Sequence, residues 1–346
     1  MFYIHQTTCI SPQHTFSDDN AEQVVQTDNN RFYAIEPSSS EIPDRVLRRM
    51  GKAVRLGVNS GMSLIKSTKP TDGIIIGTAN GGMEDCIRFL NQIIEYEEGM
   101  LTPTNFVQST ANAVAGQVGM MLKNKGYNIT HVHRGHSFEH AMLDAAMQLR
   151  ENKEHTYLLG AVDEISDYDF NIDFLDGWFK TGTGSEGMYE TDSPGTIAGE
   201  GAAMFIANNQ KNPGAIKIEA INTITTTDHD ALKDHIARFI DDYDLEIKPP
   251  QLLITGENGD SRMKDYYLNA ELAFPETTIA RFKHRTGDYA TACAQALWYA
   301  CKILRSQTIP ADMIKNDRNV ASISRCLIYN EYKTRQHSLI LCSIEV

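Results

Sequence analysis

The chain has 346 residues, 41% of them hydrophobic and 22% charged, with a formal net charge of -13 at pH 7. That length and apolar content allow a large buried core, in one two-lobed unit or two ordinary domains, and the charged fraction excludes wholesale disorder. The acidic balance repels a phosphate backbone and so argues against nucleic acid as a partner. No apolar run is long enough to span a bilayer. Met1-Phe2-Tyr3-Ile4-His5 lacks the basic-then-apolar pattern of a signal peptide, and six scattered cysteines read as reduced thiols. A cytoplasmic protein without a membrane partner is expected.

In chain order, the first forty residues read as an irregular strand and loop. Pro43 opens a helical pattern in which Ile42, Val46, Leu47, Met50, Val54 and Leu56 recur with helical spacing. Arg45, Arg48, Arg49, Lys52 and Arg55 occupy its other sides. Such a face is ordinarily just solvated, but on an acidic body it also suits an acidic partner. Gly73 to Gly82 is an apolar strand running into a Gly-rich turn, followed by a helix from Met83 to about Tyr96. The small residues of Ser109 to Leu122 predict a closely packed helix. Asn128 to His133 alternates as a strand, Ser137 to Arg150 has helical spacing, and Tyr157 to Val162 is a buried strand. Residues 163 to 196 are aromatic, acidic and Gly-rich, and read as a long loop over a site. Gly199 to Ile206 is a turn into a strand, and Leu252 to Gly259 echoes Ile74 to Gly81. Val320 to Asn330 and Ser338 to Glu345 are strand-like. The alternation and its echo predict a duplicated, layered α/β fold.

The order of these motifs resembles the β-ketoacyl-acyl carrier protein synthases, condensing enzymes of the thiolase fold. Arg48-Arg49-Met50 is similar to the family's early Arg-Arg-Met helix. Ile75-Ile76-Gly77-Thr78 with Gly81-Gly82 resembles its Gly-rich strand end. Thr102-Pro103 with Asn112, Ala115 and Gly116 resembles its Ser-Pro…Asn-x-x-Ala-Gly segment. Asp144-Ala145-Ala146 and Leu159-Gly160-Ala161-Val162 resemble the helix after the nucleophile and the next strand, and Gly199-Glu200-Gly201-Ala202 matches its Gly-Glu-Gly-Ala. The resemblance implies a single thiolase-like α/β/α/β/α unit over 1–346, with pseudo-repeated halves 1–210 and 211–346. It further implies a dimer formed through the strand near Asn128 to His133.

The reactive set departs from that pattern. Residues 87 to 292 contain no cysteine, and counting back from Asp144 puts Gly135 at the nucleophile's position. Glycine has no side chain to acylate. Thr255 stands where the first active-site histidine opens its Gly-rich turn. In Lys283-His284-Arg285-Thr286-Gly287-Asp288, Asp288 stands for the second, while Lys283 is kept. The family's Gly-Phe-Gly-Gly loop is replaced by Asn330-Glu331-Tyr332-Lys333-Thr334-Arg335. Decarboxylative condensation needs a thiolate and donors for a developing anion, which an Asp would repel. The resemblance therefore narrows to the chain-length factors, non-catalytic subunits that pair with an active synthase in fatty acid, polyketide and aryl polyene pathways. The implied partners are an acyl carrier protein, at Arg45, Arg48, Arg49, Lys52 and Arg55, and either an active synthase paralogue or a second copy of the chain.

Two other readings compete. His136-Ser137-Phe138-Glu139-His140 fits a His-x-x-Glu-His zinc pattern, but a pattern this short matches by chance and the family has no metal there; no metal and no cofactor is expected. Ser137 with His136 or His133 would make an acyltransferase or hydrolase, although serine at a helix start is ordinarily its N-cap. Asp228, His229, Asp230, Asp234 and His235 read as a solvated helix face.

Overall fold

The computed structural model describes residues 1–16, 24–37, 42–65 and 70–345, so part of the strand and loop expected over the first forty residues lies outside the described residues. In chain order the strands are β1 (Phe2–Ile10), β2 (Arg31–Phe32), β3 (Gly73–Gly77), β4 (Tyr127–His131), β5 (Thr156–Asp163), β6 (Ala198–Gly199), β7 (Gly201–Asn208), β8 (Ile216–Thr225), β9 (Leu252–Thr255), β10 (Thr278–Arg281), β11 (Ile314–Asn316), β12 (Arg325–Tyr332) and β13 (Gln336–Ile344). The helices are α1 (Asp44–Leu47), α2 (Lys52–Ile65), α3 (Met83–Glu95), α4 (Pro103–Gln108), α5 (Ala113–Leu122), α6 (Ser137–Glu151), α7 (Asp167–Leu175), α8 (His229–Asp242), α9 (Lys264–Leu272), α10 (Lys283–Thr286) and α11 (Cys293–Ser306).

Eleven strands form one sheet in the order β11-β10-β9-β12-β13-β8-β1-β7-β5-β3-β4. The order repeats about its middle. On one side β3 lies parallel to β4 and β5, and β7 is antiparallel to β5 and β1. On the other, β9 lies parallel to β10 and β12, and β13 is antiparallel to β12 and β8. Within the sheet, the two sides join where Phe2–Ile4 of β1 pair with Ile216–Ile218 of β8. The echo between Ile74–Gly81 and Leu252–Gly259 thus marks equivalent strands, β3 and β9.

Side chains of a strand alternate between faces, and here both faces are covered. Ile75 and Ile254 point into a central cluster built on α6 and α11, with Phe138, Met142, Leu297 and Leu304. Ile74 and Ile76 face the outer layer of α2 and α5, with Leu56, Val58, Val114 and Val118. Leu253, Leu327 and Leu341 face α8 and α9, with Leu232, Ile236, Phe239 and Tyr267. The result is the five-layer α/β/α/β/α sandwich expected from the sequence. Coverage on both faces is why β3 and β9 read as continuous apolar runs and not as alternating ones.

Three elements differ from the sequence reading. The helical pattern after Pro43 is broken into α1 and α2 at Gly51, where the backbone lies so close to α3 that a Cβ would fall 1.8 Å from Asp85 Oδ2. The helix expected over Ser109–Leu122 starts at Ala113, behind the short α4 that Pro103 opens. The expected loop of residues 163 to 196 contains α7. Among the described residues no helix is long and apolar enough to cross a membrane.

Candidate functional site

The site is built around the turn between β4 and α6. The chain leaves β4, passes through Arg134 in the left-handed region (φ 51°), and makes a short 3-10 turn over Arg134–His136 before α6 begins. A non-glycine residue at such a φ is held there by its surroundings. Ser137 Oγ donates to the Arg134 carbonyl and accepts from the His133 N–H, both at 2.8 Å. Ser137 therefore pins the turn backward, and does not cap α6 as the sequence suggested. Among the described residues both hydrogen bonds of its hydroxyl go to backbone, and neither His133 nor His136 offers it a ring nitrogen.

The hairpin of β12 and β13 closes over this turn. Gln336 accepts from the Gly135 N–H at 2.9 Å and donates to the His133 carbonyl at 3.2 Å. The ring of Tyr332 lies against Gly135. A Cβ there would be 2.5 Å from Tyr332 Cβ and 2.8 Å from its Cγ and Cδ1, closer than real side-chain contacts come. The space a nucleophile would need is filled by another side chain.

The same hairpin fills the second position. Thr255 ends β9 fully buried, with its hydroxyl 3.5 Å from the Ala280 carbonyl. A Cβ on the following Gly256 would lie 2.1 Å from Asn330 Oδ1. At the third position Asp288 Oδ1 pairs with Lys283 Nζ at 2.7 Å, and Asp288 Oδ2 accepts from Asn258 Nδ2 at 2.7 Å. Lys283 is fully buried, so this is an ion pair taken out of water. Beside it Glu331 is also fully buried, and among the described residues neither carboxyl oxygen has a hydrogen-bond partner at normal geometry. Burial pushes Glu331 up to about 8, with the Lys283 charge pulling back and Asp288 adding to the rise. A site meant to hold a developing anion would present donors; this one presents carboxyl groups whose nearest cation is already engaged.

Over the hairpin lies a narrow cleft of about 60 Å³, lined by Glu164, Asp169, Phe170, Trp178, Tyr289 and Tyr332 among others. Burial raises Glu164 to about 7, while its Oε2 accepts from the Ala53 N–H at 3.0 Å. Lys333 at the hairpin tip reaches Asp173 of α7 at 2.5 Å. Arg262 stacks on Trp178, its guanidinium 4.1 Å from the ring centre. Residues 163 to 196 therefore fasten onto the hairpin, and the helix missed in the sequence supplies the fastening.

The basic set divides. Arg45, Arg48 and Arg49 are exposed, and Arg45 and Arg49 line a groove with Val46, Met50, Pro103 and Val107. Lys52 instead pairs with the buried Glu200, and Arg55 forks onto Glu36 at 3.0 and 2.7 Å. These two are turned to internal ion pairs and are withdrawn from the docking set read from sequence. His136 is buried, and the nitrogens of His133, His136 and His140 lie within 4.8 Å of one another. Glu139 does not share that face; it is fully buried beside Cys293 and Ser338. Asp228 caps α8 by accepting from the Asp230 and Ala231 N–H groups, as a solvated helix start would. Sequence reasoning named Asn330 to Arg335 as a replaced loop but missed what Tyr332 and Gln336 do. Bulky residues where glycines were expected were the available signal.

Residues 21–173 match the family model described as the β-ketoacyl synthase N-terminal domain. No curated protein matches the chain. Among solved structures it is similar to a β-ketoacyl synthase from Burkholderia phymatum STM815 (13% identity, 99% of each chain, TM-score 0.77). It is also similar to the ishigamide ketosynthase/chain length factor (11% identity, 99% of this chain and 98% of that one, TM-score 0.78). A third is the ketosynthase ApeO in complex with its chain length factor ApeC from Xenorhabdus doucetiae (12% identity, 99% and 98%, TM-score 0.75). Residues 21–173 thus resemble a β-ketoacyl synthase N-terminal domain, and the chain shares the fold of the solved ketosynthases over its whole length.

Proposed function

We propose that the protein is the non-catalytic, chain-length-factor-like partner of an active β-ketoacyl synthase in a fatty acid, polyketide or aryl polyene type of pathway. The observation that carries this reading is the Tyr332 ring packed on Gly135, in the space where an acylated side chain would stand. Carboxyl groups around Lys283 support it, since they oppose the charge a condensation develops. In this reading the chain passes from the first half to the second near residue 210, in the connection from β7 to β8. β4 ends the sheet with one edge unpaired among the described residues, and such an edge suits pairing with a related subunit. Arg45, Arg48 and Arg49 offer exposed positive charge to an acidic acyl carrier protein. The reading as a Ser137 acyltransferase has no support in the hydroxyl's partners, which are both backbone groups.

The test is purification of the protein from its own cells under mild conditions, with mass spectrometry of what comes with it. The expected result is a stoichiometric synthase paralogue with an intact Cys-His-His set. Recovery of a homodimer alone, at native expression levels, would overturn the pairing.

A further inference from the structure

We propose that His133, His136 and His140 form a binding site for a divalent transition-metal ion, with zinc the ion best matched to three imidazole donors. The proposal stands apart from the partner role and does not depend on it.

The geometry comes from the pinned turn. His136 ends the 3-10 turn and His140 lies in the first turn of α6, which brings their rings side by side. His133 is brought above them by the Ser137 and Gln336 hydrogen bonds that hold the turn. The ring centres of His133 and His140 are 4.6 Å apart, and both lie 6.0 Å from that of His136. One ligand nitrogen from each ring falls within 4.8 Å of the others. A tetrahedral zinc with Zn–N bonds of about 2.0–2.1 Å needs its nitrogens about 3.4 Å apart. Closing the difference requires the rings to move together, and His133 is the exposed member of the three.

The chemistry also fits. His136 Nε2 faces the His337 carbonyl at 3.2 Å. Donating there leaves Nδ1 with its lone pair free, the arrangement by which a backbone carbonyl fixes the tautomer of metal-bound histidines. Three nitrogens without a carboxylate favour zinc, nickel or copper over magnesium or calcium. Glu139, the acidic member of the sequence pattern, faces Cys293 and Ser338 in the core and is not a ligand. Three protein donors leave a fourth position, next to the exposed His133, for water or a group from a docked subunit.

The test uses tag-free, chelator-stripped full-length protein, titrated with Zn(II) by calorimetry against a competing chelator and with Co(II) by visible absorption. The expected result is one zinc per chain and the strong absorption bands of tetrahedral cobalt. His133→Ala and His140→Ala should each weaken zinc by roughly 100-fold or more, while His14→Gln, at an exposed histidine outside the cluster, changes nothing. His133→Ala removes an exposed side chain and should fold normally, so it reads the site without a folding defect. No zinc retained at one equivalent, or equal affinity in wild type and His133→Ala, would overturn the site.

Discussion

Glu331 shows how one side chain reports on the whole site. Its carboxyl is fully buried with no hydrogen-bond partner at normal geometry among the described residues, and burial pushes it up to about 8 from the ordinary 4.5. Between those values the folded chain keeps a proton that the unfolded chain has lost, so stability falls as pH rises through that window and levels off above it. Glu331→Gln removes this dependence. Relative to the variant, wild type should lose up to about 1.4 kcal/mol per pH unit between roughly pH 5 and 8. Urea unfolding at a series of pH values measures it. The cost of burying an amide does not vary with pH, so the slope is the readout, and equal slopes would mean that Glu331 is solvated or ionised.

At the scale of elements, the hairpin of β12 and β13 decides what the β4–α6 turn can do. Gly135→Cys alone should be destabilised by about 1–3 kcal/mol, because its side chain overlaps Tyr332. It should also stay unacylated by acyl thioesters in intact-mass measurements. Gly135→Cys with Tyr332→Gly should recover stability and expose the thiol to alkylating reagents. A single Gly135→Cys that is both stable and reactive would show that the ring moves aside. The turn itself was legible, because the Asp144-Ala145-Ala146 helix fixes it by counting. The plug was not, since Gly135 and Gln336 are 201 residues apart in the chain and nothing local announces which side chain fills which space. The α7 helix escaped for a different reason. Only Phe170 of its nine residues is buried, so it has no apolar stripe to give a helical period.

At the scale of the molecule, a net charge of -13 makes any exposed positive cluster conspicuous to an acidic partner. Replacing Arg45, Arg48 and Arg49 together with Glu should weaken binding of an acidic acyl carrier protein at least about tenfold and flatten its dependence on salt. Calorimetry at several ionic strengths checks this. Stability should hardly change, because all three side chains are exposed. Unchanged affinity would place carrier docking elsewhere. The layered fold was legible because each buried strand carries its own apolar run, and those runs recur in order. The internal use of Lys52 and Arg55 was not, because their partners Glu200 and Glu36 come from other parts of the chain.

The join between the two sides of the sheet carries one more consequence. β1 precedes both of its partners in the chain by a long way, yet it sits mid-sheet between β7 and β8. Its partners begin only at Gly201 and Ile216. During synthesis it must stay unpaired for more than half the chain, with both edges open to strands of any other nascent protein. Such long-range closure is slow and exposed to misassembly. β1 is thus the keystone of the finished sheet and waits long for its partners, and chaperone protection matters over the interval before β7 and β8 are made.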